Sequence, residues 1–239
     1  MQLAHLLLRH TRLNPDATAV FHGSAHWASH AEWAARCAGL AQRLRDAGLA
    51  PGDRVAVAPL MPCGQCAWCQ AGKFSLCDSY DFMGSRSDGA FAEYLKAPAR
   101  NVLKVPESVS FEEAATIEPA AIILHGIHKL NIALGDAVAV VGCGALGYFA
   151  LQFARLSGAQ PLIAIDVDDE KLALAREVGA DICINPAKED AVAAVLAATG
   201  ERGVAVALEC AGSAPGRDLS ILVTAKQGKV MLYGTAYGD

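Results

Sequence analysis

Four cysteines, Cys63, Cys66, Cys69 and Cys77, lie close together in the chain. Their spacing, C-x2-C-x2-C-x7-C, lets a tight loop direct three thiolates at one point while the fourth closes the set. Zinc prefers such a tetrahedron of sulfur ligands. Two disulfides are the alternative, and a reducing compartment favours the metal. Because four protein ligands leave no open position for water or substrate, the pattern predicts a single structural zinc ion rather than a catalytic one.

A second pattern is rich in glycine and runs Gly142-Cys-Gly144-Ala145-Leu146-Gly147. It follows an apolar, β-branched run and opens an apolar helical pattern, which is the context that a dinucleotide-binding turn requires. Gly142 would permit the tight turn, Gly144 would let the backbone approach a pyrophosphate, and Gly147 would let helix and strand pack closely. The amide groups at the start of the helix, including those of Ala145 and Leu146, would then face the phosphates.

The acidic residue that completes this pattern is Asp166, at the end of the next apolar run. Its carboxylate would accept hydrogen bonds from ribose hydroxyls, and no arginine follows it to bind a 2′-phosphate. The sequence therefore favours NAD over NADP as the cofactor. The alternative is a glycine-rich turn in an α/β domain that binds no nucleotide.

The bulk composition describes a folded, mildly acidic protein. The 239 residues are 53% hydrophobic and carry a formal net charge of −5, without a long basic run. Nucleic acid and anionic membrane are therefore not expected partners. The first ten residues lack the features of a secretory signal, so we expect a cytoplasmic protein. Residues 137–154 form an uncharged run, but its glycines predict a strand, a turn and a helix rather than a membrane span.

These residues must be positioned by a parallel sheet. From about Val109 onward, helical patterns alternate with apolar runs, which indicates a sheet covered by helices. The predicted strands are Ala137–Val141, Pro161–Asp166, Ile182–Ile184, Val204–Leu208 and Lys229–Tyr233. The predicted fold is thus α/β, an incomplete Rossmann domain with five of the six strands of that fold.

Two less regular segments precede the sheet. The first is predicted as helix, strand, helix, with a strand over Ala17–Phe21 and a capping box of Ser29 and Glu32 at the start of the second helix. The second segment carries the cysteine cluster and one further predicted strand, Ala90–Leu95. Its scarcity of regular structure is typical of a lobe that a metal ion stabilises.

From about Pro51 to its end, the chain resembles the zinc-dependent medium-chain alcohol and polyol dehydrogenases. The run Tyr80–Tyr94 resembles galactitol-1-phosphate 5-dehydrogenase and sorbitol dehydrogenase in particular. The resemblance implies that a secondary hydroxyl of a sugar alcohol or its phosphate is oxidised to a ketone, with hydride passing to NAD. The implied partner is thus a small-molecule substrate.

The resemblance also implies roles for individual residues. Glu118 stands where the family has the glutamate of its catalytic zinc site, and an ordinary carboxylate at a helix start is the alternative. Lys171 matches a position that contacts the adenosine ribose. The family's catalytic cysteine and histidine motifs, which precede the structural zinc loop, are absent, and upstream of that loop Cys37 is the only cysteine. We interpret His125 and His128, on the helix after Glu118, as structural.

Residues 1–52 resemble instead the start of acyl-CoA synthetases and other adenylate-forming enzymes. Both families commonly carry the phrase Pro51–Val57, which indicates a fusion at that point. The predicted organisation is an acyl-CoA-synthetase-like fragment over 1–52, a partial catalytic domain with the zinc lobe over 53–118, and a partial NAD-binding domain over 119–239.

The sequence leaves three functions open. They are a polyol dehydrogenase, a zinc- and dinucleotide-binding module without turnover, and an acyl-activating protein that lacks the ATP-binding residues. In the family, the sixth strand pairs two subunits. We therefore expect the native dimer interface to be lost and the exposed sheet edge to promote association.

Overall fold

The computed structural model describes residues 12–22, 25–46 and 48–234. The chain divides into two compact units, Met1–Ala114 and Ala115–Asp239. The cysteine cluster lies in the first unit and the glycine-rich turn in the second.

The described residues of the first unit form three short antiparallel strand pairs. Its strands are β1 (Thr18–His22), β2 (Ala25–Ser29), β3 (Val55–Val57), β4 (Leu60–Met61), β5 (Asp81–Phe82) and β6 (Val102–Lys104). Strand β1 pairs with β2, β3 with β6, and β4 with β5. Its helices are α1 (His30–Asp46), α2 (Ala67–Gln70) and α3 (Phe111–Ala115), the last ending at the boundary of the units.

The predicted capping box at the start of α1 is confirmed. The Ser29 amide donates to Glu32 Oε2 at 2.8 Å, and the Glu32 amide donates to Ser29 Oγ at 3.2 Å. Helix α1 ends at Asp46, and Gly48 follows with a φ of 71°. The predicted strand at Ala17–Phe21 is confirmed as β1, whereas the sequence did not reveal β2. The helix predicted before it falls mostly on residues 1–11, outside the described residues.

The strand predicted at Ala90–Leu95 is wrong, because the structure has no strand there. The side chains of Phe91 and Tyr94 are almost fully exposed. A β-strand depends on a neighbour that accepts and donates its backbone hydrogen bonds. No described residue pairs with this segment in a strand, so its alternating pattern is not realised.

Over residues 115–234, the second unit is a five-stranded parallel sheet with helices on both faces. Its strands are β7 (Val138–Val141), β8 (Leu162–Ile165), β9 (Ile182–Ile184), β10 (Val204–Glu209) and β11 (Thr224–Leu232). Its helices are α4 (Ile117–Leu130), α5 (Ala145–Leu156), α6 (Asp169–Glu177), α7 (Ala191–Ala198) and α8 (Ala214–Leu222). The strand order is β11-β10-β7-β8-β9. When β7 is counted as strand 1 and the sheet is read from the β9 edge, this order is 3-2-1-4-5, as in the doubly wound fold.

Successive residues of each central strand face opposite sides of the sheet. In β7, Val138 and Val140 pack in a core with α4, α5 and α6, whereas Ala139 and Val141 pack in a second core with α7. Both faces are covered, which explains why the central strands are continuous apolar runs instead of alternating ones.

The uncharged run at 137–154 forms β7, a turn and α5, as predicted. Among the described residues, no helix combines the length and apolar character needed to span a membrane. Strand β11 begins at Thr224, five positions before the predicted Lys229.

Candidate functional site

A cleft of about 540 Å³ opens where β7, β8 and β10 end. Strands β7 and β10 are neighbours although three helices and two strands separate them in sequence, so the strand order reverses between them. Ligands of open α/β sheets bind at such a reversal, at the carboxyl ends of the strands. The cleft is lined by Val141, Gly142, Gly144, Ile165, Asp166, Val167, Lys171, Pro186, Cys210, Ala211, Ser213, Pro215, Gly216 and Leu219.

The glycine-rich turn enters the cleft between β7 and α5. Gly144 is the residue before the first turn of α5, and Ala145 and Leu146 begin the helix. The first amide groups of a helix have no partner within it and carry a partial positive charge. The start of α5 is therefore suited to a phosphate group at the floor of the cleft.

The three glycines of this turn differ in what a side chain would meet. Gly142 has a φ of 94°, and a Cβ there would lie 2.5 Å from the Ala211 nitrogen. A Cβ at Gly147 would overlap the carbonyl oxygen of Gly142. At Gly144, whose φ is −85°, a Cβ would meet no protein atom within 4 Å. Gly142 and Gly147 are therefore required by the fold, whereas the space above Gly144 is free for a ligand.

Asp166 connects the turn with the strand beside it. Its Oδ2 accepts from the Cys143 amide at 2.7 Å, and its Oδ1 accepts from the Asp168 amide at 2.9 Å. The carboxylate is therefore held in one orientation at the wall of the cleft. Each oxygen has a second lone pair that can accept from a hydroxyl. Lys171 lines the same wall, and its carbonyl accepts from Tyr148 Oη at 3.3 Å.

Replacing Asp166 with asparagine should weaken both the fold and ligand binding. An amide group has only one acceptor oxygen, so either the Cys143 or the Asp168 amide would face an NH₂ group. Both hydrogen bonds are partly buried, and a donor left there without an acceptor costs about 1 kcal/mol, the lower end of the range for buried donors. We expect the free energy of unfolding to fall by about that amount, measured by urea denaturation. An unchanged unfolding midpoint would show that the hydrogen bonds from the Cys143 and Asp168 amides to this carboxylate do not stabilise the fold.

The four cysteines of the first unit converge as predicted. Their sulfur atoms all lie within 4.8 Å of one another, and those of Cys63 and Cys69 are 3.9 Å apart. Sulfur atoms bound to one tetrahedral zinc ion at about 2.3 Å lie about 3.8 Å apart. The cluster can therefore hold a structural zinc ion with little rearrangement, and no pair forms a disulfide.

Local backbone structure favours the thiolate at two of these positions. The amide groups of Gln65 and Cys66 lower the pKa of Cys63 to about 6. The amide groups of Cys69 and Asp78 lower the pKa of Cys66. Burial raises the pKa of Cys69 to about 12, which favours its protonated form while no metal ion is bound. Hydrogen bonds from these backbone amides fix the orientation of the sulfur atoms toward a shared metal ion.

The residues considered for a catalytic metal do not form a second cluster. Glu118 lies exposed in the first turn of α4, and His125 and His128 are exposed on the same helix. Within residues 12–22, 25–46 and 48–234, the four cysteines form the one group of three or more potential ligands close enough to share an ion. The described residues therefore do not fit a catalytic zinc ion.

Sequence reasoning missed one residue that shapes the cleft, Glu209 at the end of β10. Its side chain is buried and binds the loop that forms one wall. A lone carboxylate after an apolar strand was the available signal. The loop that it contacts is known only from the structure.

Comparison with known proteins gives two family matches. Residues 18–107 match the alcohol dehydrogenase GroES-like domain, and residues 145–239 match the zinc-binding dehydrogenase domain. The first match begins within the segment predicted to resemble acyl-CoA synthetases, and that prediction is not tested by it.

Three relatives illustrate the similarity. Galactitol 1-phosphate 5-dehydrogenase of Escherichia coli K12 is 37% identical over 191 residues, which are 80% of this chain and 55% of the relative. A crystal structure of the E. coli galactitol-1-phosphate dehydrogenase has a TM-score of 0.73 over the same shares of the two chains. Sorbitol dehydrogenase of Bacillus subtilis is 35% identical and matches 77% of this chain and 52% of its own length.

The third is a protein of Sinorhizobium meliloti 1021 whose crystal structure is bound to NADP. It is 36% identical with a TM-score of 0.73, and the match covers 78% of this chain and 55% of that one. The chain thus spans about half the length of the relatives it matches.

Proposed function

Because the chain belongs to the zinc-type medium-chain alcohol dehydrogenase family, we propose that it binds NAD in the cleft for oxidation of a polyol. In the proposed reaction, a secondary hydroxyl of a sugar alcohol or a sugar-alcohol phosphate becomes a ketone. The observation that best supports a cofactor site here is the free space above Gly144, at the start of α5. The substrate class rests on the relatives, which include galactitol-1-phosphate and sorbitol dehydrogenases.

The described residues supply binding and orientation. The first amides of α5 would face the diphosphate. Asp166, which two backbone amides hold in place, would accept from the adenosine ribose hydroxyls. Lys171, which lines the same wall, would lie beside that ribose. When bound, NAD would supply the hydride acceptor for the oxidation. Since the carboxylate cannot turn away, it disfavours a 2′-phosphate, and we propose NAD over NADP although one relative binds NADP.

A second candidate function is binding without turnover. It is favoured by the closed set of four thiols, which can hold a structural zinc ion but leaves no position for a substrate. We propose Glu118 as the carboxylate that this chain would contribute to a catalytic zinc site. Its missing cysteine and histidine partners have no counterpart among the described residues, so no chemical step is assigned to that metal.

The organisation of the chain is likewise part of the proposal. We propose a zinc lobe within residues 53–118 and an NAD-binding domain over 119–239, preceded by an acyl-CoA-synthetase-like segment over 1–52. An acyl-activating function remains the least supported of the three, because the sequence lacks the residues that would bind ATP.

Replacing Gly144 with valine tests the cofactor site. The new side chain meets no protein atom at its Cβ and needs no unusual φ, but it occupies the position proposed for the diphosphate. We expect NAD affinity, measured by isothermal titration calorimetry, to fall by about a hundredfold, equivalent to about 2.7 kcal/mol. The thermal unfolding midpoint should hardly change.

The matched control is Gly39→Ala in α1, where a Cβ also meets no protein atom within 4 Å. This variant should bind NAD like the parent chain. If Gly144→Val binds NAD equally well, the proposed site is wrong. An assay of NADH formation with galactitol 1-phosphate and sorbitol then separates the two candidates, since the binding module would bind NAD and reduce none of it.

A further inference from the structure

Glu209 is the last residue of β10, and its side chain is only 1% exposed. Its Oε1 accepts two hydrogen bonds from backbone amides, that of Ala211 at 2.9 Å and that of Gly212 at 2.8 Å. Buried carboxyl groups are rare and need such partners. Glu209 therefore supports the loop after β10 from the protein side.

This loop, residues 210–213, forms one wall of the cleft. Cys210, Ala211 and Ser213 line the same cavity as Asp166 and Lys171. The Cys210 amide donates to the Val141 carbonyl at 2.7 Å, so the amides of residues 210, 211 and 212 all have acceptors within the protein. These three amides are therefore not available to a ligand, which meets the side chains of Cys210, Ala211 and Ser213. With Pro215 and Leu219, that surface is largely apolar.

The loop that Glu209 binds packs against the glycine-rich turn at the floor of the cleft. The backbone of Ala211 lies directly against the glycine-rich turn, where a Cβ at Gly142 would be 2.5 Å from its nitrogen. A Cβ at Gly216 would be 3.2 Å from Glu209 Oε1, and one at Gly234 would be 2.5 Å from Oε2. The carboxyl group is thus enclosed by glycines, and the loop has little freedom while both hydrogen bonds are made.

We propose that Glu209 is a positioning residue for the adenosine half of the dinucleotide cleft, and this inference rests on the proposed function. The wall that it supports shares one cavity with Asp166 and Lys171, the residues proposed for the adenosine ribose. Without the acceptor oxygen, the amides of Ala211 and Gly212 would be buried without partners. The loop would move to satisfy them, and the width of the cleft would change.

The test is the binding of AMP and of NAD to the full chain and to Glu209 variants, measured by isothermal titration calorimetry. Glu209→Gln keeps an acceptor oxygen and the side-chain shape, so its affinities should stay within about twofold of the parent chain. Glu209→Leu removes the acceptor, and both AMP and NAD should bind at least about tenfold more weakly. Circular dichroism at the temperature of the titration shows that each variant is folded.

If the leucine variant does not fold, Glu209→Asp replaces it, because the shorter side chain withdraws the acceptor with a smaller change in volume. Equal affinities in the parent chain and the leucine or aspartate variant would overturn the inference. A glutamine variant as weak as the leucine variant would also overturn it, since the acceptor oxygen would then not be the cause. If the parent chain binds neither AMP nor NAD, the proposed function is wrong and the inference fails with it. This result is seen in the parent chain alone, so it differs from any result that concerns only the Glu209 variants.

Discussion

Replacing both Cys66 and Cys69 with serine should abolish zinc binding and unfold the lobe around the cluster. Elemental analysis of the parent chain, dialysed with a trace of zinc, should find about one zinc ion per chain, and the variant should hold none. Structural zinc ions in small domains contribute about 10–16 kcal/mol of apparent binding free energy at neutral pH, and this energy is also folding energy. The effect should therefore be the largest of any substitution considered.

The unfolding can be located by limited trypsin digestion. Lys73 lies between Cys69 and Cys77, in the segment that the ion would close. Cleavage after Lys73 should be slow in the zinc-loaded chain and fast in the serine variant or after chelation. Opening of the loop exposes its backbone to the protease.

The matched control is a double variant, Cys37→Ser with Cys183→Ser, which removes two thiols outside the cluster. This variant should keep its zinc ion and its resistance to trypsin. A serine variant of Cys66 and Cys69 that still holds one zinc ion would contradict the four-thiol site. A parent chain with about two ions, one of them lost on Glu118→Ala, would show a second metal site that the described residues do not form.

The second large effect is expected at Gly142. Alanine there would have to adopt a φ of 94°, and its Cβ would lie 2.5 Å from the nitrogen and 2.7 Å from the Cα of Ala211. Left-handed strain and overlap with backbone atoms that cannot move away add together. We expect the free energy of unfolding to fall by about 3 kcal/mol or more, and NAD binding to be lost.

Gly144→Ala is the matched control, two residues away in the same turn. Its φ of −85° suits alanine and its Cβ has no protein neighbour within 4 Å, so stability should change by less than about 0.5 kcal/mol. Urea denaturation of both variants gives the comparison. Equal destabilisation at the two positions would contradict the separation of structural and ligand-binding glycines in this turn.

Several features of the candidate sites could be predicted because the residues that define each feature lie close together in the sequence. The cysteine spacing alone indicated a four-thiol cluster, and the structure brings the sulfur atoms together. The apolar runs indicated a parallel sheet because strands buried on both faces contain few polar residues. The capping box of Ser29 and Glu32 was also predictable, since both its hydrogen bonds are local.

Features that depend on distant partners could not be predicted. The segment Ala90–Leu95 has the alternating pattern of a strand, but the described residues provide no neighbouring strand. Asp166 was predicted as a ribose ligand, whereas its bond to the Cys143 amide connects residues that only the fold brings together. Glu209 carried no sequence signal beyond its place as a lone carboxylate after an apolar strand.

The sequence by itself determined the residue types and local spacings of the zinc cluster, the glycine-rich turn and the buried strands. Those patterns depend on interactions within a few residues or on burial that any packed sheet imposes. Only the tertiary structure decided which backbone atoms lie against Gly142 and Gly147, which way Asp166 faces, and that Glu209 supports the cleft wall. These properties arise from contacts between β7, β8 and β10, where close packing leaves each group one arrangement that satisfies its neighbours.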